Sequence, residues 1–271
     1  MAFRSPRPGF LPPALGFLFF LGCAGSPLPR SEAGVDGIPV AGYRLVFADE
    51  FDGEGLDPNR WRNHLPGLRR SAVNVAEAVQ TDGKGHLVLT TFFRNGTFFT
   101  GMISTRGLFE RAFGYYECRV RLQRRIGHWS AFWLQTPTMG NPLGDPGRAG
   151  AEIDVFEYLR REGNRVHHTL HWDGYGASHR SEGKLVTVPG LSEGWHRFGL
   201  LWTEDRYVFY VDGEATWQSR NGVSRRPQYM ILSLEVGPWA GRARRGDFPD
   251  SLLVDYVRVY APGNPNDPPL P

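Results

Sequence analysis

The chain has 271 residues, of which 41% are hydrophobic and 13% aromatic, and its formal net charge is +3. This composition suffices for one folded domain with a sizeable core, and the chain contains no basic run of the kind that binds nucleic acid. It has two cysteines, Cys23 and Cys118. No intrachain disulfide is expected, because lipidation or removal of Cys23 would leave Cys118 without a partner.

The N-terminal segment has the pattern of an export signal. Two arginines precede an apolar run at 14–21, and small residues follow it. This predicts a secretory signal peptide over 1–24, with an apolar run too short for a permanent membrane span. The end of the run also fits a bacterial lipoprotein signal, in which a lipidated Cys23 would attach the protein to a membrane. Simple cleavage after Ala24 is the alternative, and either predicts an extracellular, periplasmic or cell-surface protein.

The segments that flank the body of the chain are poor in apolar pattern. Residues 25–42 are rich in Gly, Pro and Ser, which predicts a linker, and 261–271 predict a proline-rich tail. Between them, residues 43–260 carry short alternating or apolar runs separated by turn residues, without a long amphipathic helical repeat. This predicts one all-β domain built from two stacked sheets or a barrel. The predicted strands cover 44–47, 86–92, 101–105, 114–121, 130–135, 152–158, 165–172, 195–203, 206–211, 228–235 and 251–260.

Three acids lie in one predicted strand whose other side chains are apolar or aromatic: Glu152, Asp154 and Glu157. Residues two apart share a face of a strand, so Glu152 and Asp154 point the same way and Glu157 points away. A β-bulge at Val155-Phe156 would return Glu157 to the face of the other two, and bulges are common beside active sites. The pattern therefore predicts a bulged strand that presents three carboxyl groups to one cleft.

The predicted spacing indicates a reaction. With the bulge, Glu152 and Glu157 behave like residues four apart, which leaves about 5 Å between their carboxyl groups after both side chains lean inward. That separation is typical of a retaining glycosidase, and an inverting enzyme needs about 6.5–9.5 Å to admit a water. We therefore expect hydrolysis by double displacement. A carbohydrate-binding module without catalysis is the alternative from another functional class.

Several motifs in the same order resemble glycoside hydrolase family 16, in its laminarinase-like group with the bulged Glu-x-Asp-x-x-Glu spacing. The resemblance covers nearly all of residues 43–260. It rests on LVFADEFDG at 45–53, GYYECR at 114–119, GHWSAFWL at 127–134 and VDYVRVY at 254–260. It implies a β-jelly roll, with the concanavalin A-like lectin and glucanase fold, in which two antiparallel sheets form a concave cleft for sugar.

The resemblance also implies roles for the acids. Glu152 would be the nucleophile, Glu157 the general acid and base, and Asp154 would hydrogen-bond the nucleophile and tune its ionisation. The implied activity is endo-hydrolysis of a polysaccharide, with β-1,3-glucan of the laminarin type as the expected substrate. A galactan hydrolase of the agarase or carrageenase type and a transglycosylase remain alternatives, because 127–133 and 233–238 depart from the family pattern where subsites are built.

Further positions match family residues that contact sugar. Trp129 and Trp133 are expected near the donor subsites, and Trp239 is expected to stack on substrate from a loop. His171 is expected beside the acid and base Glu157. The remaining matches are Asn74 and Arg106, expected to hydrogen-bond the donor-side sugar. The polar segment 171–179 is longer than expected for a simple laminarinase and predicts a subsite-closing loop.

The resemblance implies a structural calcium ion on the convex face, although the chemistry needs no cofactor. Its ligands would be Glu50, the carbonyl of Gly85 and Asp255, and hydrogen bonding of Asp255 to backbone is the alternative. The polysaccharide substrate is the one partner expected, and the protein is expected to be a monomer.

The positive charge comes almost wholly from arginine, in pairs at 69–70, 124–125, 160–161, 225–226 and 244–245. An anionic polysaccharide would suit such groups. The scatter of the pairs along the chain favours ordinary solvated arginines instead.

Overall fold

The computed structural model describes residues 37–263, so the predicted signal peptide, Cys23 and the end of the tail lie outside the described residues. No helix in 37–263 is long and apolar enough to cross a membrane. The described part is built almost entirely from strands, with one α-helical turn, α1 (Pro146–Ala149). The strands are β1 (Tyr43–Asp49), β2 (Arg62–Asn63), β3 (Gly67–Arg69), β4 (Ala72–Asn74), β5 (Val79–Thr81), β6 (Leu87–Arg94), β7 (Thr97–Ser104), β8 (Gly114–Arg121), β9 (His128–Gln135), β10 (Glu152–Leu159), β11 (Arg165–Trp172), β12 (Arg180–Thr187), β13 (His196–Trp202), β14 (Tyr207–Val211), β15 (Glu214–Ser219), β16 (Tyr229–Val236) and β17 (Asp250–Pro262).

The strands form two antiparallel sheets that pack face to face, as the sequence predicts. The back sheet runs in the order β15, β14, β13, β8 and β17, and β1 and β6 both pair with the far side of β17. The front sheet runs in the order β12, β11, β10, β9, β16, β7 and β2. A small hairpin of β3 and β4 extends from β7, where β4 runs parallel to it.

The main core lies between the sheets, and strand alternation decides which side chains enter it. In β9, Phe132 and Leu134 belong to this core, whereas Ala131 and Trp133 join a separate cluster on the outer face of the front sheet. Cys118 is a fully buried core residue with a free thiol. The outer face of the front sheet is therefore available to build a site.

The folded domain is longer at both ends than the sequence predicts. Ile38 and Val40 are buried against Tyr115 and Tyr260, although the sequence places them in a linker. Strand β17 continues to Pro262, so residues 261–262, which the sequence assigns to the tail, belong to the strand. The Ile-Pro-Val run is too short to show periodicity. Its burial depends on a tertiary contact, so the sequence pattern alone does not predict it.

Candidate active site

Strand β10 contains the predicted bulge. Its register with β11 shifts between Asp154 and Glu157, and its register with β9 shifts between Asp154 and Phe156. Val155 and Phe156 both pack into the core, so the face that each residue takes is reset after them. Glu152, Asp154 and Glu157 consequently line one cleft on the outer face of the front sheet.

The cleft has a volume of about 850 Å³ and crosses the strands of the front sheet. This size suits an extended ligand of several sugar rings lying across the sheet. Five of the predicted substrate contacts line it together with the acids: Arg106, Trp129, Trp133, His171 and Trp239.

Glu152 is held by two donors that the sequence analysis did not identify. Gln135 Nε2 donates to its carboxylate at 2.9 Å, and the Tyr175 hydroxyl donates to the same oxygen. Burial raises the pKa of Glu152, while these two hydrogen bonds and the guanidinium groups of Arg69 and Arg70 oppose that rise. Donors and cations around a carboxylate favour its charged form, which a nucleophile requires.

Asp154 differs from its expected role. It is buried, and its Oδ2 has no hydrogen-bond partner among the described residues, so it makes no bond to Glu152. His171 Nε2 lies 3.5 Å from that oxygen, and His171 Nδ1 lies 2.9 Å from His179 Nε2. Burial, then the charges of Glu157 and Glu152, raise the pKa of Asp154 well above its usual range. This raised pKa favours the protonated form of Asp154.

Glu157 has the environment of a general acid. Burial and the charge of Glu152 raise its pKa to about 8. Its one side-chain hydrogen bond comes from the Thr169 hydroxyl at 3.1 Å, which opposes the rise. A carboxyl group with this pKa still carries its proton near neutral pH and can give it to a leaving oxygen.

His171 lies next to Glu152 and Asp154 and so does not take the expected place beside Glu157. The strand register explains the difference, because His171 is the direct partner of Glu152 and Thr169 is the partner of Asp154. Burial and the neighbouring His179 lower the pKa of His171 to about 4, so its ring is neutral.

Glu152, Asp154 and His171 also form the one group of three within 37–263 with ligand atoms close enough for a metal ion.

His168 fixes the bulge from the neighbouring strand. Its Nδ1–H donates to the carbonyl of Val155 at 2.7 Å, inside the bulge, and its Nε2 lies 3.0 Å from the Thr216 hydroxyl of the back sheet. Burial lowers the pKa of His168 to about 4, so the ring is neutral, and the Thr216 hydroxyl that faces Nε2 also donates to the Phe209 carbonyl at 3.1 Å. The only sequence signal for this residue is the double histidine at 167–168, whose roles depend on strand register.

The three tryptophans enter the cleft in different ways. Trp133 is 8% exposed and donates from Nε1 to the Ser233 hydroxyl at 3.2 Å. The Arg70 guanidinium covers the Trp129 ring at 4.4 Å from its centroid, and Trp239 contacts that ring edge-on at 4.6 Å. Trp239 is 36% exposed and is therefore the ring most accessible to a sugar face.

Asn74 is not a cleft residue, which corrects its predicted role. It is buried, and its side-chain amide donates to the carbonyls of His64 and Leu65, the latter at 2.8 Å. It therefore supports the loop that places His64 and Leu65 in the cleft wall. Arg106 does line the cleft, with its guanidinium 5.7 Å from the ring centroid of Tyr229.

The predicted calcium ligands are engaged with arginines. Both carboxylate oxygens of Glu50 accept from Arg258 at 2.8 Å, and Asp255 accepts from Arg119 at 2.6 Å. The backbone of Gly85 does lie beside Glu50, since a Cβ built on Gly85 would come within 3.8 Å of the Glu50 carbonyl oxygen. The side chains therefore do not fit the expected calcium site, because guanidinium groups already supply the positive charge.

Comparisons with known proteins agree with this geometry. The sequence profile of glycosyl hydrolases family 16 matches residues 70–258. The endo-1,3-1,4-beta-glycanase ExsH of Rhizobium meliloti (strain 1021) is 29% identical over 196 residues, which are 72% of this chain and 38% of that protein. The beta-glucanase of Rhodothermus marinus is 27% identical over 80% of this chain and 85% of its own length.

A solved structure is also similar. The laminarinase from Rhodothermus marinus superposes with a TM-score of 0.72 at 26% identity, over 82% of this chain and 98% of that one. The two chains therefore share a fold over most of their lengths. The chain spans less than half of the length of the first curated relatives that it matches.

Proposed function

Because this chain belongs to glycosyl hydrolase family 16, we propose that it is an endo-acting β-glucan hydrolase that retains anomeric configuration. One observation carries the proposal, namely the bulge that turns Glu152, Asp154 and Glu157 toward one cleft. The relatives named as glycanase and glucanase support a glucan with 1,3 linkages. The departures from the family pattern at 127–133 and 233–238 leave a galactan as the second substrate to test.

The proposed reaction has two steps. The Glu152 carboxylate attacks the anomeric carbon, while Glu157 gives its proton to the glycosidic oxygen as the bond to that oxygen breaks. The product chain leaves, and the donor sugar is esterified to Glu152. Glu157, now ionised, takes a proton from a water that attacks the same carbon and releases Glu152. Transfer to a second sugar in place of water would make the enzyme a transglycosylase.

The environments of the two glutamates support this assignment. Gln135 and Tyr175 donate to Glu152 and stabilise its charge, whereas Glu157 is buried beside that charge and keeps its proton. Two carboxyl groups with separated proton affinities are what acid and nucleophile roles require. A binding module has no use for such a pair, which favours catalysis over simple carbohydrate binding.

The experiment is a polysaccharide panel of laminarin, mixed-linkage glucan, agarose, carrageenan and xyloglucan. We expect release of oligosaccharides from laminarin or mixed-linkage glucan, and loss of turnover in Glu152→Ala. Glu77→Ala, an exposed acid outside the cleft, is the matched control. Early product anomers measured by NMR test retention. Full turnover by Glu152→Ala, or inverted products, would exclude the proposed mechanism.

We also propose that the chain is exported and acts outside the cytoplasm, on the basis of its N-terminal pattern. Lipidation at Cys23 would keep the enzyme on a membrane, and simple cleavage would release it. Fractionation of cells that express the chain and its Cys23→Ser variant separates the two. Lipidation predicts that the variant moves from the membrane to the soluble fraction, and an unchanged soluble distribution contradicts it.

A further inference from the structure

The hairpin of β3 and β4 brings two guanidinium groups into the cleft wall. Of the five arginine pairs in the sequence, Arg69-Arg70 is the one that lines the cleft. Arg70 has a φ of 52° at the hairpin tip, a left-handed conformation that is strained for a residue other than glycine. The Ser71 amide donates to the Val236 carbonyl at 3.0 Å and ties the tip to β16. The arginines are therefore held at the cleft by a strained and anchored turn.

The buried Glu235 carboxylate binds both arginines through their Nε atoms. Arg69 Nε donates to Glu235 Oε1 at 2.5 Å, and Arg70 Nε donates to Glu235 Oε2 at 3.4 Å. Among the described residues, no hydrogen-bond acceptor is assigned to the terminal amino groups of either guanidinium. Because an arginine offers five N–H donors, pairing through Nε leaves those terminal groups for another acceptor.

A third guanidinium group lines the same cleft. Arg106 also lines the cleft and has no acidic partner within 37–263. Arg69 and Arg70 share the Glu235 carboxylate and also face Glu152, whereas Arg106 lies beside Tyr229. His64, between Arg69 and Arg106, does not add to this charge, since burial and these two cations lower its pKa to about 4. The terminal amino groups of Arg69 and Arg70 therefore stay available to an anionic group of a bound ligand.

Arg70 also changes the aromatic surface of the cleft. Arg70 lies over one face of the Trp129 ring, which is expected near the donor subsites. A neutral sugar would have to displace that guanidinium, whereas an acidic substituent would find it already positioned. We propose that Arg69, Arg70 and Arg106, the arginine cluster, bind a carboxylate or sulfate substituent of the substrate, so that the preferred substrate is an acidic β-glycan.

This inference rests on the proposed function, and its test separates the two. Neutral, C6-carboxylated and sulfated forms of one β-1,3-glucan oligosaccharide are compared in turnover by the wild type. The same ligands are compared in calorimetric binding to Glu152→Gln, which needs no turnover. Arg70→Gln is compared with Arg226→Gln, an exposed arginine outside the cleft, which removes the same charge.

We expect at least one acidic form to bind and react about tenfold better than the neutral form at low salt. Arg70→Gln should remove most of that ratio, and Arg226→Gln should retain it. Preferential binding without turnover of any ligand would support the arginine cluster while contradicting the hydrolase. Equal or weaker binding of both acidic forms overturns the arginine cluster, as does an equal loss of the ratio in Arg70→Gln and Arg226→Gln. The form that binds better identifies carboxylate or sulfate as the substituent.

Discussion

At the scale of single residues, two chemically identical side chains of the cleft have different surroundings. Glu152 receives two hydrogen bonds and faces two arginines, whereas Glu157 receives one hydrogen bond and lies deeper beside Glu152. Hydrogen bonds and cations favour a carboxylate, and burial disfavours it. The functional difference between the two glutamates is therefore a property of their surroundings.

The first prediction concerns the pH dependence of kcat/KM. The raised pKa of Glu157, about 8, means that activity persists until pH rises through that value and the acid loses its proton. Activity falls at acid pH as Glu152 becomes protonated. Thr169→Val removes the one hydrogen bond that stabilises ionised Glu157, so the alkaline limb should move to higher pH. A profile measured from pH 4 to 10 checks this, and a move to lower pH contradicts it.

The second prediction concerns Tyr175, which donates to the nucleophile from the loop after β11. Tyr175→Phe keeps the ring and removes the donor, so kcat/KM should fall about 10- to 100-fold. The acid limb of the pH profile should also move to higher pH, because this hydrogen bond lowers the pKa of Glu152. Wild-type kinetics on both limbs of the pH profile would show that the Tyr175 hydroxyl contributes nothing to catalysis.

At the scale of secondary structure, the bulge in β10 depends on its neighbour β11. His168 donates to the buried Val155 carbonyl inside the bulge. Without His168, that carbonyl would lose this hydrogen bond. Losing such a bond in the interior costs about 1–3 kcal/mol. The same bond sets how Glu157 is aimed, so His168 is a positioning residue for the acid.

The third prediction follows from that contact. His168→Ala should lower kcat by about tenfold or more with a smaller change in KM, because the acid is misdirected while the sugar contacts remain. His168→Asn can place an amide N–H near the Nδ1 position and should restore much of kcat. Thr216→Val, which removes the far partner of the ring and a hydrogen bond to the Phe209 carbonyl, should lower stability more than kcat. An equal effect of Ala and Asn on kcat would show that volume, and not the hydrogen bond, matters.

The sequence pattern predicts the bulge but not the side chains that support it. Strand parity requires an extra residue between Asp154 and Glu157, and that argument uses only neighbours in the chain. The contacts of Gln135, Tyr175 and His168 depend on which strands pair and in which register, which periodicity does not specify. Strand β12 was missed for a related reason, since it is an exposed edge strand with little alternation.

At the scale of the whole molecule, arginine bridges fasten the ends of the folded chain. Arg258 of β17 pairs with Glu50, which directly follows β1, and Arg119 of β8 pairs with Asp255 of β17. These are the carboxylates that family resemblance assigned to calcium. The resemblance predicted the family and the fold correctly. The roles of the acids stay a prediction, and motifs alone could not reveal the arginines that pair with the expected calcium ligands, because those pairs depend on which residues meet across strands.

The fourth prediction is indifference to calcium. Chelator should leave the melting temperature unchanged, and added calcium should not raise it, because the two carboxylates are already neutralised. Scanning calorimetry of the full chain with chelator, with calcium and with magnesium as the ionic-strength control measures this. A rise specific to calcium would restore the expected site and require the arginines to move.

The buried thiol of Cys118 offers one more consequence. It lies on β8 between β13 and β17, and burial raises the pKa of the thiol well above its usual range. A thiol reagent needs a solvated thiolate, so it can react only when these central strands separate. In a Cys23→Ser background Cys118 is the sole thiol of the chain. Its labelling rate in native buffer therefore serves as an internal clock for rare whole-domain opening, with no probe introduced into the protein.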